Sequence, residues 1–226
     1  MPADAASSIF RLMRGRGIIL ATLLLAGCIP KPDRPTVQQP APPTAAATDP
    51  AIRQCHADLT REGVKFRVLP DRDFGGGCTA LGSVQLLEIG TPVANLGAMT
   101  CPLARTFALW SREAVQPAAQ QWLGVAVTKV ESMGTYACRP VNGMAGGKLS
   151  EHGRANAVDI SAFTLADGRR VTVLDGWNGG DEKVRGFLRA VHQAGCRRFG
   201  ITLGPEANAL HRNHFHFDMG RGPYCR

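Results

Sequence analysis

Two segments of the chain carry apolar residues at helical spacing. The first starts near Thr100 and Pro102, a capping residue and a proline suited to a first helical turn, and Pro117 is expected to interrupt it. The second covers residues 181–193 and repeats its apolar residues at i, i+3, i+4 and i+7, with Gly195 as the expected stop. The pattern therefore predicts a helix after residue 100 and a clearer one over residues 181–193.

Shorter segments have the composition of β-strands. One is rich in β-branched side chains, and two others flank the hairpin-type turn Ala166-Asp-Gly168. Because helices and strands are interspersed and the turns are tight, the order favours an α+β fold with a mainly antiparallel sheet and flanking helices. The predicted strands are residues 125–130, 156–163, 170–174, 199–203 and 214–218.

The first 27 residues have the pattern of an export signal. Three arginines precede the nine-residue segment Ile18 to Ala26, which is too short for a bilayer-spanning helix of about 20 residues. The segment ends in Leu25-Ala-Gly-Cys28, which is similar to the lipobox of bacterial lipoproteins. This resemblance implies cleavage before Cys28 and lipidation of its thiol. A plain secretory signal with a chance cysteine is the alternative.

Residues 28–50 would then be a lipidated cysteine and a tether. Seven of the 22 residues in 29–50 are proline, so this segment cannot bury a core and is expected to be an extended spacer. The predicted location is the bacterial cell envelope, lipid-anchored and facing the periplasm. By the sorting pattern of such lipoproteins, Ile29 in place of an aspartate favours the outer membrane.

The remaining residues, 51–226, are expected to form one domain with six cysteines. An even number of cysteines in an exported domain predicts disulfides, and none of them lies in a C-x-x-C pair that would suggest a cysteine-based zinc site. Sequence alone leaves the pairing open. The predicted disulfide cysteines are Cys55, Cys78, Cys101, Cys138, Cys196 and Cys225.

Three of the six histidines fall within six residues, at His211, His214 and His216. On a strand, side chains alternate between faces, so His214, His216 and Asp218 would share one face while the two intervening phenylalanines face the core. An H-x-H pair alone is weak evidence for a metal site, because a hydrogen-bonded polar face has the same pattern. His192 is expected at the surface or near the end of its helix.

A second cluster makes a metal site more plausible. Ser150, His152 and Asp159 lie close together in sequence, and Asp159 falls on the strand predicted over residues 156–163. Two histidines and one aspartate form a three-ligand set for Zn²⁺ that leaves a fourth position open, which is the arrangement of a catalytic site. The open position matters because zinc makes water a usable nucleophile near neutral pH.

These motifs resemble two known groups of proteins. Ser-x-His-x6-Asp followed by His-x-His is similar to the zinc peptidases of the D-Ala-D-Ala carboxypeptidase, lysostaphin and murein endopeptidase superfamily. The stretch from about Cys55 to Cys225 closely resembles the bacterial extensin-like C-terminal domain family. The segments that carry the second resemblance are Gly134 to Arg139, Leu149 to Ile160, Leu165 to Gly168 and Leu203 to Asp218.

The superfamily resemblance implies a single-zinc, D-Ala-D-Ala carboxypeptidase-like fold and a role for each matching residue. His152, Asp159 and His216 match the ligands of one zinc ion per chain. His214 and His211 match catalytic histidines beside the metal. The resemblance further implies that Arg139 binds a substrate carboxylate or stabilises an oxyanion, with Tyr136 and Ser150 assisting in substrate binding; for Ser150 a turn cap is the alternative, and for Arg139 a surface or structural role.

One position departs from the carboxypeptidase pattern. Several enzymes of the superfamily carry a glutamate three residues before the last zinc-binding histidine, and here that position is Asn213. An amide cannot serve as a base, so an imidazole of His214 or His211 would have to accept the proton.

Three functional hypotheses follow. The first is a lipoprotein zinc metallopeptidase that hydrolyses amide bonds in peptidoglycan peptides, acting as a carboxypeptidase or an endopeptidase. The second is a non-catalytic, zinc-containing module for cell-wall binding or structural use, and the third is a metal-free disulfide scaffold. The net charge of +8 does not indicate a nucleic-acid partner, because no aromatic and basic stripe accompanies it.

Overall fold

Residues 49–226 are described by a computed structural model of the chain. The predicted signal peptide, the lipidation at Cys28 and the tether up to residue 48 lie outside the described residues. Within residues 49–226, no helix is both long enough and apolar enough to cross a membrane. The first helix of the described residues begins at Pro50, where the side chain of Asp49 accepts a hydrogen bond from the backbone N–H of Ala51 at 2.7 Å.

Helices and strands are interspersed along the described part of the chain, as predicted. The helices are α1 (Pro50–Arg61), α2 (Cys101–Trp110), α3 (Gln116–Leu123), α4 (Val173–Gly176) and α5 (Glu182–Cys196). The strands are β1 (Lys65–Val68), β2 (Arg72–Gly75), β3 (Cys78–Ala80), β4 (Ser83–Glu88), β5 (Val93–Ala94), β6 (Met99–Thr100), β7 (Val127–Gly134), β8 (Ala157–Leu165), β9 (Arg170–Thr172), β10 (Ile201–Leu203), β11 (Phe215–Asp218) and β12 (Tyr224–Cys225).

The main sheet has seven strands in the order β12-β10-β11-β8-β7-β5, with β9 paired to β8. Only the short edge strands β12 and β5 pair in parallel with their neighbours, so the sheet is mainly antiparallel as predicted. A separate three-stranded sheet has the order β1-β4-β6, and β2 pairs with β3. Strands β8 and β11 lie side by side in the middle of the main sheet, and both carry predicted site residues.

The prediction that Pro117 interrupts the helix that starts near Thr100 is wrong. A π-helical segment, Ser111–Val115, joins α2 to α3, so the chain remains helical from Cys101 to Leu123. In this segment the N–H of Gln116 donates to the carbonyl of Ser111, five residues back. The backbone hydrogen-bond ladder is therefore already widened just before Pro117, which has no N–H to donate to it.

The helix predicted over residues 181–193 is confirmed, but it does not stop at Gly195. Asp181 caps its start by accepting hydrogen bonds from the N–H groups of Lys183 and Val184. Gly195 lies inside the helix, and a Cβ atom there would approach the ring of Phe217 to 2.5 Å. The glycine is needed for close packing of the helix on β11, not for a turn.

All six predicted cysteines form disulfides. Cys55 and Cys101 join α1 to α2, Cys78 and Cys138 join β3 to the loop after β7, and Cys196 and Cys225 join α5 to β12. The second bridge ties the small β2–β3 hairpin to the loop that leads toward His152.

The hydrophobic core lies between the main sheet and the helices. Trp110 of α2 is fully buried, and its indole N–H donates to the carbonyl of Val191 in α5 at 3.0 Å. Phe215 and Phe217 on β11 are also fully buried, on the face of the sheet that the alternation assigned to the core. Their packing fixes the strand so that the opposite face carries His216.

His192 lies close to the end of its helix, as one of the two alternatives predicted, but the expected surface position is wrong. The side chain is buried on the core side of β11, with its ring centroid 5.2 Å from that of Phe215 and 5.3 Å from that of Trp177. Burial lowers the pKa of His192, and the hydrogen bond to the carbonyl of Arg226 opposes this only in part. The C-terminal segment folds back over the helix and covers the imidazole, which no pattern within residues 181–193 shows.

We predict that this burial makes the protein less stable in mild acid. Because the folded-state pKa of His192 is below its unfolded value of about 6.5, stability is unaffected above that pH and falls as the pH drops below it. One such proton contributes at most about 1.4 kcal/mol per pH unit. Urea unfolding of wild type and His192→Gln across pH 5 to 8 should give plots of the free energy of unfolding against pH that diverge only on the acid side. Parallel curves would contradict the prediction.

Candidate functional site

The side chains of His152, Asp159 and His216 form a triad that converges on one face of the main sheet. Asp159 on β8 and His216 on β11 are directly opposite each other in the antiparallel register, so their side chains project from the same face. His152 comes from a short 3₁₀ turn, Glu151–Arg154, where its own N–H donates to the hydroxyl of Ser150 at 3.3 Å. Each of these three residues is more than nine-tenths buried.

The three converging atoms form a nearly equilateral triangle. His216 Nδ1 lies 2.9 Å from Asp159 Oδ1, and His152 Nε2 lies 3.1 Å from each of those atoms. Tetrahedral zinc with bonds of about 2.0–2.1 Å holds its ligand atoms about 3.3 Å apart, so the triangle has to open by only a few tenths of an ångström. The donor set and its spacing therefore fit a zinc ion.

Both imidazoles are oriented by an acceptor on their outer nitrogen. His152 Nδ1 donates to the carbonyl of Thr135 at 3.2 Å, and His216 Nε2 donates to the carboxylate of Asp218 at 2.8 Å. This leaves His152 Nε2 and His216 Nδ1 directed at Asp159, as a metal site of this type requires. Sequence alternation placed Asp218 on this face but gave it no role, and no local pattern indicates a backbone carbonyl such as that of Thr135.

The electrostatics of the triad favour a positive charge beside the carboxylate of Asp159. Burial alone would raise the pKa of Asp159, but hydrogen bonds from His152 and His216 hold it far below its ordinary value. Burial would likewise lower the pKa of His216, yet its hydrogen bonds to Asp159 and Asp218 raise it to about 9. A metal ion at this position would replace that proton as the positive charge.

We predict that Asp218 tunes the metal affinity without touching the metal. Replacing it with asparagine keeps the volume but weakens the acceptor for His216 Nε2–H, and loss of such a partner typically costs about 10–100-fold in affinity. Competition with a zinc-binding dye measures this change. Asp167→Asn, on the exposed turn after β8, is the matched control and should leave the affinity unchanged. Equal affinities of Asp218→Asn and wild type would refute the role.

His211 and His214 stand beside the triad. His214 Nε2 lies 3.8 Å from Asp159 Oδ1, and the ring centroids of His211 and His214 are 5.1 Å apart. Burial lowers the pKa of both imidazoles, and that of His211 falls to about 4. Both are therefore neutral at neutral pH and able to accept a proton.

A cleft of about 160 Å³ opens beside the triad and reaches it at His216. Arg139 and Ser150 line it, together with His211, His216 and Asp218. Two further cations, Lys148 and Arg221, stand on its wall. Within residues 49–226, none of the three basic side chains of the cleft has an ion-pair partner, so their charge is available to an anion.

Tyr136 is placed differently from the other predicted site residues. It is not among the described side chains that line the cleft, and its ring lies 4.9 Å from that of Phe74, between centroids. Its hydroxyl is buried and has no hydrogen-bond partner within the described part of the chain. Ser150 caps the turn of His152, as one alternative predicted. It also lines the cleft, and its role in substrate binding stays a prediction.

One other group of side chains is spaced like metal ligands. His192, Cys196 and Cys225 bring their ligand atoms within 4.8 Å of one another. The two cysteines are joined in a disulfide, however, and only a free thiolate binds a metal. Of the two such groups in residues 49–226, only that of His152, Asp159 and His216 has all its ligand atoms free.

Comparison with known proteins identifies the family of the domain. No curated protein and no solved structure matches the chain. The family model for the extensin-like protein C-terminus matches residues 53–226, which covers the whole sheet, all three disulfides and the cleft. The match spans well over half of the sequence, and the chain therefore belongs to the extensin-like protein C-terminus family.

Proposed function

We propose that the protein is a zinc-dependent hydrolase that cleaves amide bonds in peptidoglycan peptides. The observation that carries the proposal is the triangle of His152, Asp159 and His216, whose ligand atoms lie 2.9–3.1 Å apart and whose His216 lines a cleft. The similarity of its motifs to the D-Ala-D-Ala carboxypeptidase, lysostaphin and murein endopeptidase superfamily supports the same proposal, including a single-zinc fold of that type.

The residues around the triad suit amide hydrolysis. The chemistry that a zinc ion supplies in such a site is Lewis-acid polarisation of a carbonyl and activation of water near neutral pH. His214, neutral and 3.8 Å from the carboxylate of Asp159, is positioned to accept the proton of the attacking water and pass it to the leaving amine. His211 assists from the cleft wall. The exposed guanidinium of Arg139 is suited to a substrate carboxylate or a developing oxyanion.

The charge of the cleft supports an anionic substrate. Three cations line the cleft: Arg139, Lys148 and Arg221. The two acidic side chains that line it already have partners. Asp218 is bound to His216, and Glu151 is bound to Arg154 and Asn156. Peptides of the cell wall carry free carboxylates beside their amide bonds, and unpaired cations would hold such groups in a cleft.

A second candidate function is a zinc-containing module that binds the cell wall without turnover. Asn213 favours it, because the glutamate that several related carboxypeptidases use as a base is missing at this position. In this alternative the triad would serve stability, and the basic cleft would still hold an anionic polymer.

The proposed location follows from the N-terminal pattern. Cleavage before Cys28 and lipidation of its thiol would tie the domain to a membrane, in the orientation of a periplasm-facing, outer-membrane lipoprotein. The proline-rich segment up to residue 50 would let the domain reach the peptidoglycan layer. We propose peptidoglycan peptides and the membrane surface as its partners.

Incubation with purified muropeptides tests the enzyme proposal. Zinc-loaded protein should release new peptide products that mass spectrometry identifies, and His152→Ala should release none. Asp167→Asn serves as the control that keeps the site intact. Bound zinc without products from any muropeptide, cross-linked or not, would contradict the enzyme and favour the binding module. No zinc binding at all would contradict both.

A further inference from the structure

Two asparagines contact the two histidines that flank the triad. Asn213 Oδ1 lies 2.9 Å from His214 Nδ1, and Asn208 Oδ1 lies 2.9 Å from His211 Nδ1. Neither amide contributes to the metal triangle. Asn213 is also the residue that stands where related carboxypeptidases have a glutamate, so the position is occupied by a group that must act in another way.

Each contact pairs Nδ1 of the ring with an amide oxygen, which favours a proton on that nitrogen. An amide oxygen can only accept, so a ring nitrogen that faces it at 2.9 Å must be the protonated one. For Asn208 the orientation of the amide is set independently, because the same oxygen accepts the backbone N–H of Leu210 at 2.9 Å. In a neutral imidazole, a proton on Nδ1 leaves a lone pair on Nε2.

The free nitrogen of His214 faces the triad. His214 Nε2 lies 3.8 Å from Asp159 Oδ1, while its Nδ1 faces the amide of Asn213. In the Nδ1–H tautomer the ring presents an acceptor, not a donor, on the side of Asp159. His211 shares the first feature, because its Nδ1 lies against the oxygen of Asn208, and its ring centroid is 5.1 Å from that of His214.

We infer that Asn213 and Asn208 are positioning residues that hold His214 and His211 in the Nδ1–H tautomer, with His214 Nε2 as the proton acceptor. The inference rests on the proposed hydrolase function for its purpose, but the tautomers themselves are a property of the folded chain. It also explains how the site could operate with an amide at position 213. Asn213 is not itself the base. By fixing the tautomer of His214, it makes that imidazole the base.

Imidazole nitrogen NMR of the full chain tests the inference directly. At a pH above the ordinary imidazole pKa of about 6.5, long-range ¹H–¹⁵N spectra distinguish Nδ1–H from Nε2–H rings. We expect His211 and His214 in the Nδ1–H form. Asn213→Leu, which removes the acceptor at similar volume, should abolish this preference in His214 alone, and Asn213→Asp should restore it. Spectra of His214→Gln and His211→Gln assign the signals.

Asn208→Asp is the matched variant for the second pair. It keeps the acceptor for both Leu210 N–H and His211 Nδ1, so neither tautomer should change, whereas Asn208→Leu removes the acceptor and should abolish the preference in His211 alone. An Nε2–H tautomer of His214 in wild type, or an unchanged tautomer in Asn213→Leu, would overturn the inference.

Kinetics separate this inference from the function on which it rests. On a muropeptide that the protein cleaves, Asn213→Leu should lower kcat with little change in KM, and Asn213→Asp should recover kcat. Recovery by aspartate would not be expected if the asparagine only maintained the fold, and a failure to recover would overturn the positioning role. If no muropeptide is cleaved, the hydrolase proposal fails, while the NMR result still decides the tautomers.

Discussion

Replacing Asp159 with alanine is expected to reduce bound zinc from about one ion per chain to background. The side chain supplies one of three ligand atoms, and it is the only carboxylate of the triangle. Its loss leaves two imidazoles, whose ring nitrogens lie 3.1 Å apart with no negative charge between them. Elemental analysis of protein dialysed against zinc and then buffer measures the change.

The control for this prediction is Asp167→Ala, which removes a carboxylate from the exposed turn after β8. It should retain zinc at the wild-type level. If Asp159→Ala also retains one zinc per chain after the same dialysis, the ion is bound elsewhere and the proposed triad is not its site.

Replacing His214 with glutamine is expected to keep the zinc and remove the hydrolysis. The imidazole lies beside the triangle without belonging to it, so metal binding should persist. Loss of a proton acceptor positioned at the reacting water typically costs about 10²- to 10⁴-fold in rate. Muropeptide cleavage, followed by mass spectrometry, and zinc content would be measured on the same preparation.

His192→Gln is the matched control for His214→Gln, because it removes a buried imidazole on the opposite side of β11. It should keep both zinc and activity. A His214→Gln variant that cleaves at the wild-type rate would exclude His214 as the proton acceptor. One that loses its zinc would show instead that His214 contributes to the metal site.

The parts of the site that sequence could predict depend on local geometry. Alternation along β11 was enough to put His216 and Asp218 on one face and Phe215 and Phe217 on the other, because a pleated strand repeats every two residues. Placing Asp159 beside His216 required only that two polar strand positions share a sheet face. The antiparallel register then brought them directly opposite each other.

Features that depend on contacts between distant segments were missed or left open. Pro117 is tolerated because a π-helical turn precedes it, and Gly195 is selected by the ring of Phe217, which lies on another element. His192 is buried by the C-terminal segment. The pairing of the cysteines likewise follows from the fold, which brings α1 against α2 and α5 against β12.

The hydrogen-bond partners of the histidines in and beside the triad were not predictable for the same reason. The carbonyl of Thr135 reaches His152 from the end of β7, and every residue type carries a backbone carbonyl, so no sequence signal marks this one. The amides of Asn208 and Asn213 are visible in the sequence, but their role appears only when each oxygen is seen to face an imidazole nitrogen.

X-ray absorption at the zinc edge of the loaded protein reports the atoms bound to the metal and so decides whether the triad is the zinc site. We predict nitrogen and oxygen ligands at about 2.0–2.1 Å that include two imidazoles, with no sulfur at about 2.3 Å. Asp159→Ala should abolish this spectrum. A sulfur shell, a single imidazole, or the unchanged spectrum in Asp159→Ala would contradict a zinc centre formed by His152, Asp159 and His216.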